Sequence, residues 1–159
     1  MNYEDLLALV QLRHLTIFGT TSKKSETIVL LGPYEPSYWP AICSSPEWND
    51  EKPDPIDRWS IRIIEELAQT TGARACFPFG PTPSPFISWA LASDQAWQSP
   101  VGMLVQAEAG LLVSYRGALV FDQPILSPVS ASVPCTNCAK PCLSAVSYTH
   151  LTLPTKRIV

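Results

Sequence analysis

Three cysteines crowd into a short segment near the end of the sequence. The segment reads CTNCAKPC and contains Cys135, Cys138 and Cys142. Thiolate sulfur is the ligand that iron-sulfur clusters and many zinc sites take from proteins, and closely spaced thiols can hold one metal centre from a single loop. We therefore predict that these three residues bind a metal, with a 4Fe-4S cluster as the first interpretation.

The spacing within this run leaves other interpretations open. A ferredoxin-type run has two residues between its second and third cysteines, whereas residues 139–141 make three here. Its fourth cysteine would fall at position 146, which is Val146, so the ligand set for a cluster is incomplete in this chain. Zinc is an alternative, although four-cysteine zinc sites usually separate two CxxC pairs by a longer loop. In the third interpretation, the three cysteines bind no metal and their spacing is incidental.

The remaining residues with reactive side chains carry weaker signals. Cys43 and Cys76 stand alone, where a free cysteine usually packs as a small hydrophobic residue. His14 lies near the end of the first predicted helix, and we expect a helix-end role for it rather than metal binding. The sequence contains no P-loop, Gly-rich dinucleotide fingerprint, HExxH or GxSxG. We predict no catalytic residue and leave enzymatic activity open.

Two further segments could contact a cofactor. The turn at 77–86, FPFGPTPSPF, either lines a flat aromatic pocket at a strand end or packs its rings into the core as a rigid turn. Tyr115 and Arg116 could place a phenol and a guanidinium beside a cofactor or an acidic group. Alternatively, they lie on the exposed face of a strand in which Gly117 relieves a bulge.

Composition narrows the classes of function. With 159 residues, of which 46% are hydrophobic, the chain can bury the core of one domain. The net charge is −3 and the basic residues are scattered, so we expect no nucleic-acid partner. Glu4 and Asp5 stand where a signal peptide would be basic, and no apolar run approaches the roughly 20 residues that span a bilayer. We expect a cytoplasmic protein with no membrane partner.

Local patterns predict alternating helices and strands. Asn2 caps a first helix, and Asp54 and Pro55 open a longer one that ends at Gly72. The other predicted elements are a buried strand at 27–31, an ordered surface loop at 34–55, a strand at 73–78, a short helix at 86–92, and a hairpin of strands 103–107 and 111–121. This order indicates an α/β (α+β) fold with a mixed sheet flanked by helices.

The chain divides into four predicted parts. An α/β body spans 1–121, a connector rich in Pro, Ser and Val spans 122–134, and a truncated cysteine run spans 135–145. The segment VSYTHLTLPT at the start of 146–159 resembles the translation of a sequencing-library adapter. We therefore expect 146–159 to be foreign to the natural protein and give its residues no functional weight.

Several short segments together resemble a known family. In chain order they are TIVLLGP at 27–33, YWP at 38–40, DPIDRWS at 54–60, FPFG at 77–80, PFISWA at 85–90, SPVGML at 99–104 and VSYRGAL at 113–119, followed by the cysteine run. This order resembles bacterial ferredoxin-like 4Fe-4S proteins, and its layout is distantly similar to epoxyqueuosine reductase. The resemblance implies electron transfer to a redox partner protein or a small-molecule cofactor. By fold-level analogy alone, the reductase layout implies a cobalamin-binding domain ahead of the cluster.

Overall fold

The chain forms an α+β fold, which confirms the predicted class. The computed structural model describes residues 1–125 and 131–145. In chain order the elements are α1 (Tyr3–Gln11), β1 (Leu15–Lys23), β2 (Glu26–Pro33), α2 (Tyr38–Cys43), α3 (Pro46–Asn49), α4 (Pro55–Thr71), β3 (Arg74–Cys76), α5 (Phe86–Leu91), β4 (Ala96–Gln98), β5 (Leu104–Gln106), β6 (Gly117–Phe121) and α6 (Cys142–Ala145). None of the described helices has the length and apolar character needed to cross a membrane. The predicted adapter segment 146–159 lies outside the described residues.

The main sheet has four strands in the order β1-β2-β6-β3. Every pairing between its strands is antiparallel, so the sheet is antiparallel rather than mixed. β1 and β2 form a tight hairpin, and β6 enters between β2 and β3 from much later in the chain. The two central strands are therefore β2 and β6.

Both faces of this sheet are covered, which explains the uninterrupted apolar sequence of β2. Because neighbouring strand residues point to opposite faces, a strand buried on both faces needs apolar residues throughout. One core cluster joins Val29 and Leu31 to residues of α1, α2 and α4. The other joins Ile28 and Leu30 to α5 and the start of β4.

The two helices with the clearest capping signals begin where the sequence predicts. Asn2 caps α1, since its side-chain oxygen accepts the N–H of Asp5 at 2.8 Å. α4 begins at Pro55 and ends at Thr71, and its C-cap Gly72 adopts the left-handed conformation with φ +69°. Asp54 is the N-cap residue of α4, as predicted, although its side chain makes no capping hydrogen bond.

The predicted hairpin of 103–107 with 111–121 is wrong. β5 pairs with β4 in a separate two-stranded sheet, while β6 lies at the centre of the main sheet. The turn between them is present because the buried Gln106 side chain accepts the N–H groups of Glu108 and Ala109, both at 2.7 Å. The same side chain donates to the carbonyl of Phe18 on β1 at 3.3 Å, so the turn is held against the main sheet.

The segment predicted as a surface loop, 34–55, contains two short helices. α3 starts with Pro46 at its first turn, and the Ser45 hydroxyl accepts the N–H of Trp48 at 3.3 Å. Ile42 of this segment is fully buried. Trp39 and Trp48 are 48% and 39% exposed and meet edge to face, with ring centroids 5.2 Å apart. Ser37 precedes α2, and Ser45 and Pro46 begin α3, so some of the Ser and Pro residues in this segment lie at helix starts.

Candidate metal centre

The three predicted ligands lie on one surface segment. Cys135 is in a turn and Cys142 opens the short helix α6; both are half-buried, while Cys138 is exposed. The backbone N–H of Lys140 donates to Cys138 Sγ at 3.3 Å. Lys140 has φ +56°, a conformation that turns the chain between Cys138 and Cys142. Residues 131–145 are called the cysteine loop below.

The donor set of the cysteine loop fits a metal centre in its chemistry, since three thiols share one short segment. Within residues 1–125 and 131–145, no three His, Cys, Asp or Glu side chains are gathered into a ligand group. The predicted fourth position, 146, lies outside the described residues. Metal binding by Cys135, Cys138 and Cys142 therefore stays a prediction.

A cleft of about 370 Å³ separates the cysteine loop from the body of the protein. The body contributes Ser99 and Pro100, which follow β4 directly. The loop contributes Cys135, Thr136 and Lys140. One predicted ligand thus shares a cavity with the segment SPVGML of the family resemblance.

Ser99 lines this cleft and carries a buried hydroxyl. Ser99 is 6% exposed, and its Oγ is buried without a hydrogen-bond partner among the described residues. Its backbone is satisfied, because its N–H donates to the Met103 carbonyl at 2.8 Å and its carbonyl accepts the N–H of Gly102 at 2.9 Å. A buried hydroxyl without a partner costs about 1–3 kcal/mol. Nothing local in the sequence marks this residue, because its burial and its nearness to Cys135 come from the fold.

A second polar cluster forms around Arg116. The Arg116 side chain is 14% exposed; it donates to the carboxylate of Asp57 and, through Nε, to Ser60 Oγ at 3.2 Å. Its guanidinium carbon lies 5.4 Å from the centre of the Phe79 ring. Three motifs of the family resemblance therefore meet at one side chain. The exposed-strand interpretation of Tyr115 and Arg116 is wrong, because Arg116 is mostly buried and committed to Asp57.

Two tyrosines lie beside this cluster in apolar surroundings. Burial raises the pKa of Tyr115 to about 12, and its Oη is buried without a hydrogen-bond partner among the described residues. Burial also raises the pKa of Tyr38, an effect that the nearby Arg116 charge opposes. Both phenols are therefore neutral near pH 7, and the charged members of the cluster are Arg116 and Asp57.

The aromatic turn at 77–86 divides its rings between the core and a cleft. Phe86 is 5% exposed and packs in the core between the sheet and α5. Phe77 and Phe79 line an open cleft of about 360 Å³ together with Ser84 and the half-buried Cys76. The core-packing interpretation thus holds for Phe86, whereas a cofactor beside Phe77 and Phe79 stays a prediction.

His14 and Cys43 are not part of a group of metal-binding side chains, since the described residues contain no such group. His14 lies in the turn between α1 and β1, and its N–H donates to the carbonyl of Gln11 at 3.0 Å. Its φ is +61° and its Nδ1 is buried without a partner in the described part of the chain. The helix-end position predicted for His14 is confirmed.

Comparison with known proteins found no match for this chain. No family model, no curated protein and no solved structure matches it. The resemblance to ferredoxin-like proteins therefore stays a prediction, and the functional argument depends on the chain's own residues.

Proposed function

We propose that this chain is an iron-sulfur redox protein in which Cys135, Cys138 and Cys142 bind the iron of a 4Fe-4S cluster. The observation that carries the proposal is that three thiols share one surface loop and that one of them, Cys135, lines the cleft between the loop and the body. When bound, such a cluster supplies one-electron redox chemistry. A redox partner protein or a small-molecule cofactor would exchange electrons with it.

The cysteine loop has the properties expected of a segment that a metal orders. None of the residues 131–145 is buried, so no apolar core of its own holds the loop in place. Metal binding often supplies the free energy that orders such segments, because ligands on a flexible chain become fixed when they coordinate. The exposure of Cys138 also leaves its thiol open to an incoming metal.

The body acts as a platform for this loop. The turn after β4 places Ser99 and Pro100 along one side of the cleft, while Cys135 and Lys140 line the other. The turn is held by two backbone hydrogen bonds and by Gly102, whose φ is +80°. A rigid wall beside a ligand set on the surface restricts the volume that the cluster must occupy.

The test is a measurement of bound metal in the chain reconstituted without oxygen. Ferrous iron and sulfide are added together with a small thiol, which replaces the fourth cysteine ligand that a ferredoxin-type run would have at position 146, where this chain has Val146. We expect bound iron and acid-labile sulfide in equal amounts and broad visible absorption. A variant with Cys135, Cys138 and Cys142 changed to Ser should lose both, whereas a variant with Cys43 and Cys76 changed to Ser should keep them.

Other outcomes of the metal measurement would overturn the proposal. Zinc bound without sulfide would make the chain a zinc-stabilised binding domain, and no bound metal at all would make the three cysteines incidental. Incubation of the same preparation with cobalamin tests the alternative of a corrinoid-binding reductase. Retention of the cobalamin spectrum after gel filtration would favour that alternative. Loss of that retention in a variant with Phe79 changed to Ala would indicate that the aromatic cleft binds cobalamin.

A further inference from the structure

We propose that a groove at the outer edge of β1 binds a small organic cation, namely an aliphatic amine with a positive charge at each end. The groove has a volume of about 390 Å³, which lies in the range of small-molecule sites. The edge of β1, one face of α1 and the turn that follows β5 form its walls, and it is called the β1 groove below. Its described lining contains no residue of the cysteine loop, so this inference does not depend on the proposed function.

The floor of the β1 groove is a strand edge. Among the described strands, β1 pairs with β2 alone. The His14 carbonyl faces β2, because it accepts the N–H of Tyr34 at 3.1 Å. Backbone groups alternate in direction along a strand, so the carbonyl of Ile17 faces the groove instead. The neighbouring carbonyl of Phe18 also points away from β2, since it accepts a hydrogen bond from Gln106 Nε2 at 3.3 Å. The floor therefore offers main-chain acceptors to a bound ammonium group.

The sides of the β1 groove combine aliphatic and aromatic surface. Tyr3, Leu7 and Gln11 are spaced four residues apart on α1, so one face of the helix lines the groove, and Tyr34 lines it from beyond β2. Burial raises the pKa of Tyr3, and the nearby Glu108 charge adds to this effect, so the phenol is neutral near pH 7. The face of a neutral aromatic ring attracts a cation, while aliphatic surface favours a hydrocarbon body.

The charged groups of the β1 groove are both negative. Glu35 and Glu108 line it, no Lys or Arg does, and neither carboxylate is in an ion pair among the described residues. Glu35 follows Pro33, which pairs with Leu15, whereas Glu108 belongs to the turn that Gln106 holds against Phe18. Those two points on β1 lie roughly 10 Å apart at the rise of an extended strand. Two separated carboxylates favour a ligand with a positive charge at each end.

The experiment is an amide NMR titration of the full chain at low salt with hexamethylenediamine. Saturable shifts should appear at residues 16–18 and 108–109. Hexylamine has one charge and should bind about twofold to fivefold more weakly, as expected for the loss of one exposed ion pair. Hexanol has the same hydrocarbon length without charge and should give no saturable shift.

Substitutions of the two carboxylates test the role of charge directly. Glu35→Gln and Glu108→Gln should each weaken diamine binding about twofold to fivefold, and both together about tenfold. Both residues are exposed, so the variants should fold like the parent. Glu51→Gln is the matched control, because Glu51 is exposed between α3 and α4 and does not line the groove. It removes the same charge from the chain and should leave the affinity unchanged.

Three outcomes would overturn the inference. The absence of saturable shifts at residues 16–18 would show that the β1 groove does not bind the amine. Equal affinity for hexanol would show that the groove selects apolar chains rather than cations. Equal weakening by Glu51→Gln and Glu108→Gln would show that only the net charge of the protein matters. The metal measurement stands apart from all three, so the failure of this inference leaves the proposed function untouched.

Discussion

The body and the cysteine loop are held in place in different ways. In the body, β2 and β6 are buried on both faces by two apolar clusters, with Leu30 and Leu119 fully buried. In the cysteine loop, none of the residues 131–145 is buried. Apolar burial therefore fixes the shape of the body, whereas local hydrogen bonds such as Lys140 N–H to Cys138 Sγ hold the loop.

Buried polar groups within the body differ among themselves. The Gln106 side chain lies between the two sheets and makes three hydrogen bonds. His14 Nδ1, Ser99 Oγ and Tyr115 Oη are buried without a hydrogen-bond partner among the described residues. Polar satisfaction therefore does not separate the body from the cysteine loop, whereas apolar burial does.

The greatest loss of stability should follow from a change in the core of the body. Leu119→Ala should lower the free energy of unfolding by about 2–5 kcal/mol, because it leaves a cavity in a central strand. Leu143→Ala in the cysteine loop removes the same atoms from a side chain that is 37% exposed. It should cost less than about 0.5 kcal/mol. Urea unfolding monitored by tryptophan fluorescence measures both, and similar losses would contradict the difference between the two regions.

The second prediction concerns the polar cluster around Arg116. Arg116→Met should destabilise the body by about 1–3 kcal/mol, because Asp57 and Ser60 lose a charged hydrogen-bond donor. Arg116→Lys keeps the charge but cannot form the same forked contacts, so it should recover only part of the loss. Urea unfolding of these variants, each with and without Asp57→Asn, measures the interaction energy between residues 116 and 57. Strictly additive losses of unfolding free energy would show that the two residues are not coupled.

The third prediction concerns pH. The pKa of Tyr115 is raised from its ordinary value of 10.0 to about 12, so the folded protein favours the neutral phenol. That contribution to stability is fully present below pH 10 and is lost as pH rises from about 10 to about 12, since the unfolded chain ionises first. Tyr115→Phe should remove this loss. At pH 7 it should be neutral or stabilising by up to about 1 kcal/mol, because it removes an unpaired buried hydroxyl. Thermal unfolding across this pH range checks both parts, and a loss unchanged in Tyr115→Phe would contradict them.

The least change in stability should come from the predicted metal ligands. Without metal, changing Cys135, Cys138 and Cys142 to Ser should alter the unfolding free energy by less than about 0.5 kcal/mol, because the loop buries no residue. With iron and sulfide, hydrogen exchange in residues 131–145 should slow in the parent and stay fast in the Ser variant. Slowed exchange confined to the body would contradict the role proposed for the loop.

The parts of the fold that the sequence predicts well are those with local signals. α4 has Pro55 at its start, Gly72 as its C-cap and a helical apolar face between them. Its bounds can therefore be predicted from residues that are close together in the sequence. β2 is recognisable from its continuous apolar run. β1 is missed because it carries Gly19 at a bulge and ends in polar residues, so its pattern does not alternate regularly.

Strand partners are a different matter, because pairing joins segments that are far apart in the chain. The predicted hairpin at 103–121 is wrong because β6 lies between β2 and β3 instead of beside β5. In that central position both faces of β6 are buried, so it removes more apolar surface from water. The placement of Gly117 shows how tight that position is. A Cβ on this glycine would lie 2.5 Å from Ile64 Cδ1 and 3.1 Å from the carbonyl oxygen of Cys76.

Residue order was enough to predict the α+β class, which the structure confirms, and to propose three closely spaced cysteines as metal ligands. Alternating helix and strand patterns require an apolar core, and three closely spaced thiols offer metal ligands wherever their loop lies. The cleft that Ser99 shares with Cys135 and the contact between Arg116 and Asp57 became visible only in the folded chain. The reason is physical: these contacts join residues that only the order of strands in the sheet brings together, and a hydrogen bond or a stacked ring has no local sequence pattern.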